Sequence, residues 1–331
     1  MSLFEAKHLT KIFAGGMLNR ESNIALDDFS LMISGDKPRI TTIAGESGSG
    51  KTTLANLVLG FLTPTSGEVL YRGKNIWHMS RQEYFTFRRE VQAIFQDPYG
   101  TYNPFYKVDS VFQTVISKFK LAHSKAEAQK ITENALEVVG LRPKEILGKF
   151  PHQLSGGQRQ RIMIARAFLL KPRLIVADEP VSMIDASLQV RILEIFQQLK
   201  TEFNISFLYI THDLSTAYQI SDDIFVLYRG SVMEHGGIDE VIQKPQHPYT
   251  QLLINSIPIP DPDIRWEGRL KSSTADKPPI VSTGGCKFAG RCPHVMPKCV
   301  ELAPSLITIG RDHHAACYLY EPIAENTAKT E

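Results

Sequence analysis

Short apolar runs alternate along this chain with amphipathic segments, and this pattern predicts a mostly parallel α/β core. The runs at 40–44, 174–177 and 205–210 consist almost entirely of apolar or β-branched residues. Uninterrupted runs of this kind are typical of parallel strands that are buried on both faces. Between such runs, the spacing of apolar residues predicts helices, most clearly at 126–139 and 187–203. Strands and helices that alternate in this way indicate the α/β fold class.

The two ends of the chain depart from this pattern. Residues 3–43 alternate loosely between apolar and polar positions, which predicts a strand-rich beginning. The α/β pattern stops near residue 236, and residues 245–304 are rich in proline. We therefore predict a boundary at 236–245, followed by an appended domain. The four cysteines all lie beyond that boundary: Cys286, Cys292, Cys299 and Cys317.

Composition narrows the class of protein. The 331 residues are enough for one large domain plus a smaller one, or for two medium domains, and a hydrophobic content of 43% allows a sizeable core. The net charge is only +2, and the lysines and arginines are spread along the chain, which argues against nucleic acid as the main partner. The sequence contains neither an apolar stretch long enough to span a bilayer nor an apolar secretion signal at its start. We therefore expect a cytosolic protein whose membrane role, if it has one, depends on a partner.

The most informative stretch is residues 45–52, which fit the G-x-x-x-x-G-K-[ST] pattern of a phosphate-binding loop. It lies between the predicted strand 40–44 and a helix predicted at 53–62. Glycine N–H groups and a helix N-terminus bind phosphate oxygens, Lys51 can reach the β- and γ-phosphates, and the Thr52 hydroxyl can bind Mg²⁺. The alternative is a structural turn before a helix. The candidate nucleotide-binding residues here are Gly45, Glu46, Ser47, Gly48, Ser49, Gly50, Lys51, Thr52 and Thr53.

Polar residues also follow three other predicted strands, at the edge where open α/β sheets bind ligands. Asp178 can hold Mg²⁺, and Glu179 beside it can polarise an attacking water. Gln96 can bind Mg²⁺ or position water, and His212 can contact a γ-phosphate. Each has a structural alternative: the two acids can cap a turn, Gln96 can face solvent, and His212 can be a satisfied histidine near the sheet edge.

A second glycine-containing stretch precedes a helix predicted at 159–170. Its Ser155 hydroxyl and glycine N–H groups form another candidate anion site at a helix N-terminus. The alternative is an ordinary serine cap with a glycine-rich entry. Two phosphate sites in one chain are unusual, and one explanation is that each serves a different nucleotide. The residues of this stretch are Leu154, Ser155, Gly156, Gly157 and Gln158.

In order and spacing, these motifs together resemble the ATP-binding subunit of an ABC transporter, over roughly residues 3–235. By this resemblance, residues 45–52 form the Walker A loop and residues 154–158 the signature sequence. The remaining correspondences are Gln96 with the Q-loop glutamine, Asp178 with the Walker B aspartate, Glu179 with the catalytic glutamate, residues 182–185 with the D-loop, His212 with the switch histidine, and Phe13 with the adenine-stacking aromatic residue.

The resemblance implies an ABC-type ATPase cassette at 1–240, with a helical subdomain at about 97–170 and ATP and Mg²⁺ as cofactors. Cassettes of this family work as head-to-tail pairs, in which ATP lies between the Walker A loop of one and the signature sequence of the other. The partner is a copy or a sister subunit. Such a pair, at the cytoplasmic face of the membrane, drives two transmembrane permease subunits and acts indirectly with an extracytoplasmic solute-binding protein.

A narrower resemblance, to the oligopeptide and dipeptide importers, rests on residues 96–98, 103–104 and 245–253. These importers append a C-terminal domain, here 241–331. Some relatives with this cysteine arrangement carry a [4Fe–4S] cluster there. Four thiolates also suit Zn²⁺, for which His294, His313 and His314 are further potential ligands, and the thiols can also stay unliganded.

Two further expectations concern partners and function. The resemblance places a docking surface for the permease beside the loop after Gln96, where the aromatic residues are Tyr99, Tyr102, Phe105 and Tyr106. The alternative is a local aromatic core. The competing functions are a soluble ABC ATPase not tied to transport, and an importer of the same type that moves oligosaccharide or nickel.

Overall fold

The computed structural model describes residues 2–14, 22–97, 100, 102–257 and 284–321. In these ranges, no helix is both long and apolar enough to cross a membrane. The described strands are β1 (Ser2–Phe13), β2 (Asn23–Ser34), β3 (Ile40–Ala44), β4 (Ser66–Tyr71), β5 (Lys74–Asn75), β6 (Val91–Ile94), β7 (Leu174–Asp178), β8 (Ser206–Thr211), β9 (Asp223–Tyr228), β10 (Ser231–Gly237), β11 (Ile307–Gly310) and β12 (His313–Ala315).

The helices lie mainly between the strands of the core. They are α1 (Lys51–Val58), α2 (Arg81–Glu90), α3 (Asp109–Phe119), α4 (Lys125–Val138), α5 (Pro143–Ile146), α6 (Gly156–Phe168), α7 (Ala186–Phe203), α8 (Leu214–Ile220), α9 (Ile238–Gln243), α10 (Pro248–Asn255) and α11 (Pro297–Glu301).

The larger sheet forms the core and has the strand order β11-β12-β10-β9-β3-β8-β7-β6. Its five strands from β9 to β6 are parallel, which confirms the α/β class. Every residue of β3 and β8 is buried, as the uninterrupted apolar runs predicted. Because the strands are parallel, the carboxyl ends of β3, β6, β7 and β8 meet at one edge of the sheet. The polar motifs follow those ends, so the sheet gathers them there.

The strand-rich beginning forms part of a second, antiparallel sheet with the order β2-β1-β4-β5. Its apolar face packs on the larger sheet, where the ring centroids of Phe29 and Phe225 lie 5.5 Å apart. This packing explains the loose alternation along β1 and β2, because only one face of each strand is buried.

The starts of two helices differ from the prediction, and both differences arise from glycines. Helix α1 begins at Lys51 instead of residue 53, because Gly50 at φ +105° turns the chain directly into the helix, and it ends at Val58 instead of residue 62. Helix α6 begins at Gly156 instead of residue 159. Its first turn is closed by a reciprocal cap: Gln158 N–H donates to Ser155 Oγ (3.2 Å), and Ser155 N–H donates to Gln158 Oε1 (3.0 Å).

The region after residue 240 continues the core sheet. Strand β12 pairs antiparallel with β10, and β11 lies beyond it. At this junction the fully buried Glu234 carboxylate accepts the N–H groups of Gln246 and His247, each at 2.8 Å, and pairs with His313 Nε2 at 2.8 Å. We refer to residues 241–331 as the extension. The division at 240 stays a prediction, and the sheet is continuous across it.

Candidate nucleotide site

A cleft of about 930 Å³ opens at the carboxyl edge of the core sheet. Its walls come from the phosphate loop (residues 45–52), the start of β2, the ends of β6 and β7, and the extension. The lining residues are Phe13, Ser22, Asn23, Ile24, Ala25, Ser47, Gly48, Gly50, Lys51, Thr52, Thr53, Gln96, Glu179, Arg229 and Lys287. The structure therefore brings the sequence-predicted Phe13, Gln96 and Glu179 together with most of the phosphate loop.

Glycines are required in the phosphate loop because the surrounding backbone lies so close. A Cβ on Gly45 (φ +149°) would lie 2.2 Å from the Leu227 carbonyl oxygen, and one on Gly50 would lie 2.3 Å from that of Ala25. Gly48 has open space around it. The loop is thus packed against β9 at its Gly45 end and against β2 at its Gly50 end, while its middle faces the cleft.

Lys51 is the buried positive charge of the cleft. Its Nζ donates to the carbonyl oxygens of Gly45 (2.8 Å) and Glu46 (2.9 Å). Burial lowers the pKa of Lys51, whereas the nearby carboxylates of Glu179 and Asp178 oppose that shift. These two loop carbonyls use two of the three N–H donors of the ammonium group, which leaves one for an anionic ligand.

The geometry fits a Mg²⁺ ion beside Thr52. Burial raises the pKa of Asp178, and a hydrogen bond from the Thr52 side chain opposes that shift. Asp178 Oδ1 is buried and accepts no hydrogen bond from the described residues. A carboxylate oxygen with an unused lone pair next to a hydroxyl is the type of donor set that Mg²⁺ prefers. The sequence-predicted pair Thr52 and Asp178 is therefore brought together, with Gln96 at the adjacent strand end.

Glu179 is held by two of the other predicted residues. Gln96 Nε2 donates to Glu179 Oε2 (2.9 Å), and His212 Nδ1 lies 3.0 Å from Glu179 Oε1. The backbone of Glu179 has φ +46°, an uncommon conformation for a residue with a side chain, and its N–H donates to the Ile210 carbonyl (2.9 Å). Three strand ends thus fix one carboxylate at the cleft wall, which is the arrangement needed to orient a water molecule.

Phe13 lines the cleft, and 41% of its surface is exposed. Lys11 Nζ lies 5.3 Å from the centre of its ring. An exposed aromatic ring that lines the cleft is suited to stacking on a base.

The second glycine stretch is outside the cleft. None of its residues lines the cleft, although they lie in the described part of the chain. A Cβ on Gly157 would lie 2.5 Å from the Leu188 side chain, so glycine lets the start of α6 approach α7 closely. In this single chain, Ser155, Gly156, Gly157 and Gln158 therefore form a capped helix N-terminus on another surface.

The sequence analysis did not identify several cleft residues. Asn23, Ile24 and Ala25 come from β2, Arg229 from the β9–β10 turn, and Lys287 from the extension. The strand-rich beginning predicted at 3–43 includes the three β2 residues but did not mark them as part of a site. No local motif marks Lys287, because its place in the cleft depends on how the extension folds back.

The four cysteines are brought together, but they do not form a metal-binding group. They line a cavity of about 20 Å³, room for roughly one water molecule, together with His247 and His294. Among the described residues, no three His, Cys, Asp or Glu side chains are placed to hold a metal ion. Burial raises the pKa of Cys286 and Cys317, and that of Cys292 to about 11. The placement of the described side chains therefore does not support the predicted [4Fe–4S] or zinc site.

The aromatic loop after Gln96 divides into buried and exposed parts. Tyr102 is buried, and its hydroxyl donates to the Arg159 carbonyl (2.7 Å), so it belongs to a local core. Phe105 and Tyr106 are 86% and 61% exposed. Tyr99 lies outside the described residues.

Two family profiles match the chain. Residues 26–182 match the family described as ABC transporter. Residues 233–299 match the one described as oligopeptide/dipeptide transporter, C-terminal region.

Known proteins are similar over most of the chain. The oligopeptide transport ATP-binding protein AppF of Bacillus subtilis (strain 168) is 38% identical over 284 residues, which is 84% of each chain. The oligopeptide transport ATP-binding protein OppF of Escherichia coli (strain K12) is 37% identical over 282 residues, which is 85% of this chain and 84% of the OppF chain. A solved dimeric ATP-binding cassette, in a post-hydrolysis state with ADP and Pi, superposes with a TM-score of 0.62 at 29% identity, covering 71% of this chain and 98% of that one.

Proposed function

Because the chain belongs to the ABC transporter family, we propose that it is the ATP-hydrolysing subunit of an importer for peptides or similar solutes. The observation that carries this proposal is the Glu179 carboxylate, held by Gln96 and His212 in the same cleft as the phosphate loop. The names of the relatives and the match of the extension to the oligopeptide/dipeptide C-terminal region support the solute class.

The proposed chemistry assigns one task to each side chain. The N–H groups of the phosphate loop and Lys51 bind the phosphates, and Phe13 stacks on adenine. Thr52, Asp178 and Gln96 would hold Mg²⁺, which neutralises charge on the transferring phosphoryl group when it is bound. Glu179 orients and polarises the attacking water, and His212 keeps the Glu179 carboxylate in place.

The second cassette is part of the proposal, because the cleft is open on one side. Ser155 and its neighbours lie on a separate surface of the same chain, as expected if they complete the site of a partner. The dimeric state of the solved structural relative supports a pair of cassettes. We place this pair at the cytoplasmic face of a membrane, bound to two permease subunits and working indirectly with a solute-binding protein. The exposed Phe105 and Tyr106 are candidates for the permease contact.

Affinity purification of the chain from its native membrane tests the assignment. We expect two hydrophobic subunits and a second cassette to copurify, and peptide uptake to stop in cells whose only copy carries Glu179→Gln. Copurification with a soluble partner or nucleic acid alone would instead favour an ABC ATPase not tied to transport. If cells with Glu179→Gln take up peptides normally but no longer take up nickel or oligosaccharide, the proposed solute class is wrong.

For the cysteines, we retain the cluster as a proposal, supported by four thiols that converge on one cavity. Burial raises the pKa of Cys292 to about 11, so a thiolate there needs a bound cation. If a cluster forms, anaerobically purified protein should absorb near about 400 nm and lose that band on oxidation. Zinc would give a stoichiometric metal content without the band. With neither, alkylation of Cys292 should be slow at pH 7 and accelerate about tenfold per pH unit up to about pH 11, because only the thiolate reacts.

A further inference from the structure

The extension reaches back onto the phosphate loop through the segment 286–292. The Arg291 guanidinium donates two hydrogen bonds to Glu46, from Nη1 to Oε2 (2.8 Å) and from Nη2 to Oε1 (2.9 Å). This bidentate arrangement fixes direction as well as distance. Glu46 is the second residue of the phosphate loop, so a side chain from far along the sequence is attached to that loop.

The backbone of Glu46 is held by the extension as well. Its N–H donates to the hydroxyl of Tyr249 (2.9 Å), a fully buried residue of α10. The Tyr249 ring lies 5.4 Å from that of Phe288, which belongs to the same segment as Arg291. The carbonyl of Glu46 in turn accepts the hydrogen bond from Lys51 Nζ. The position of Glu46 therefore affects the lysine that faces the phosphates.

A second attachment acts at the other end of the phosphate loop. Lys287 Nζ donates to the Arg229 carbonyl (3.0 Å) and pairs with Asp27 Oδ2 (2.8 Å). Gly230, which follows Arg229 in the turn, donates its N–H to the Ser49 carbonyl (2.9 Å). Since Lys287 also lines the cleft, the extension forms part of the cleft wall and holds the turn on which the loop rests.

We propose that the extension is a working part of the nucleotide site, in which Arg291 is the positioning residue of the phosphate loop and Lys287 anchors the adjoining turn. This inference rests on the proposed function, because it requires nucleotide phosphates at the loop. The side chains of Arg291 and Glu46 are 44% and 38% exposed, so the pair contributes little to overall stability. The pair acts instead on the geometry of the loop. Without Arg291, Glu46 samples more positions, and so does Lys51, which donates a hydrogen bond to the Glu46 carbonyl.

The test compares Arg291→Met, Arg291→Lys and Lys287→Met in the full chain, with a fluorescent ATP analogue as the probe. We expect Arg291→Met to weaken binding about three- to tenfold, Arg291→Lys to weaken it less, and Lys287→Met to weaken it as well. Amide hydrogen exchange without nucleotide should rise at residues 45–52 in Arg291→Met. The matched control is Arg311→Met, an exposed arginine between β11 and β12, which should leave both readings at wild-type values.

Two results would overturn the inference. One is wild-type affinity in both Arg291→Met and Lys287→Met. The other is weaker binding accompanied by faster exchange throughout the chain and a lower melting temperature, which would make Arg291 a contributor to stability only. A wrong proposed function would give a different result. The wild-type chain would then bind no ATP, or the Lys51→Ala variant would bind ATP as tightly as the wild-type chain.

Discussion

Replacing Lys51 by alanine is expected to weaken ATP binding about a hundredfold or more. The Lys51 ammonium is buried within the phosphate loop. In the proposed function it is the cation that neutralises bound phosphate there. Removing one partner of a buried, hydrogen-bonded charge pair leaves the other without compensation, which costs about 2–5 kcal/mol. Equilibrium titration with a fluorescent ATP analogue measures the change.

The matched control is Lys130→Ala, which removes an exposed lysine from α4. Its affinity should equal that of the wild-type chain, because this side chain does not line the cleft. If Lys51→Ala binds ATP within about twofold of wild type while its melting temperature is preserved, the phosphate loop is not the nucleotide site.

The second large effect is expected for Glu179→Gln, which should retain ATP binding but hydrolyse ATP about 10²- to 10⁴-fold more slowly. Glutamine has nearly the same shape and can still contact Gln96 and His212, but its amide cannot polarise water as a carboxylate does. Binding without turnover should trap two cassettes in a closed pair. Phosphate release and size-exclusion chromatography with ATP measure the two consequences.

Glu202→Gln, at the exposed end of α7, is the control for the loss of one carboxylate and should hydrolyse ATP normally. Rapid turnover by Glu179→Gln would contradict the role given to this residue, even if nucleotide affinity were unchanged. Slow turnover without a closed pair would retain the catalytic role but count against the head-to-tail arrangement.

The sequence predicted much of the core because the signals there are local. The uninterrupted apolar runs identified β3, β7 and β8, and the glycine pattern identified the phosphate loop. The predicted starts of α1 and α6 were wrong, because they depend on glycines that enter the helix or its cap directly. For the cysteines, clustering along the sequence did not specify how the thiols are placed, and the described residues do not support a metal site.

The sequence by itself determined the strand–loop–helix unit around Lys51 and the chemical types at the strand ends, because each depends on residues close together in the chain. Only the tertiary structure decided that Gln96 and His212 hold Glu179, since parallel pairing places three distant strand ends at one edge. It also decided that Arg291 and Lys287 reach the phosphate loop. Those contacts depend on how the extension packs against the core sheet, and no short stretch of sequence encodes that packing.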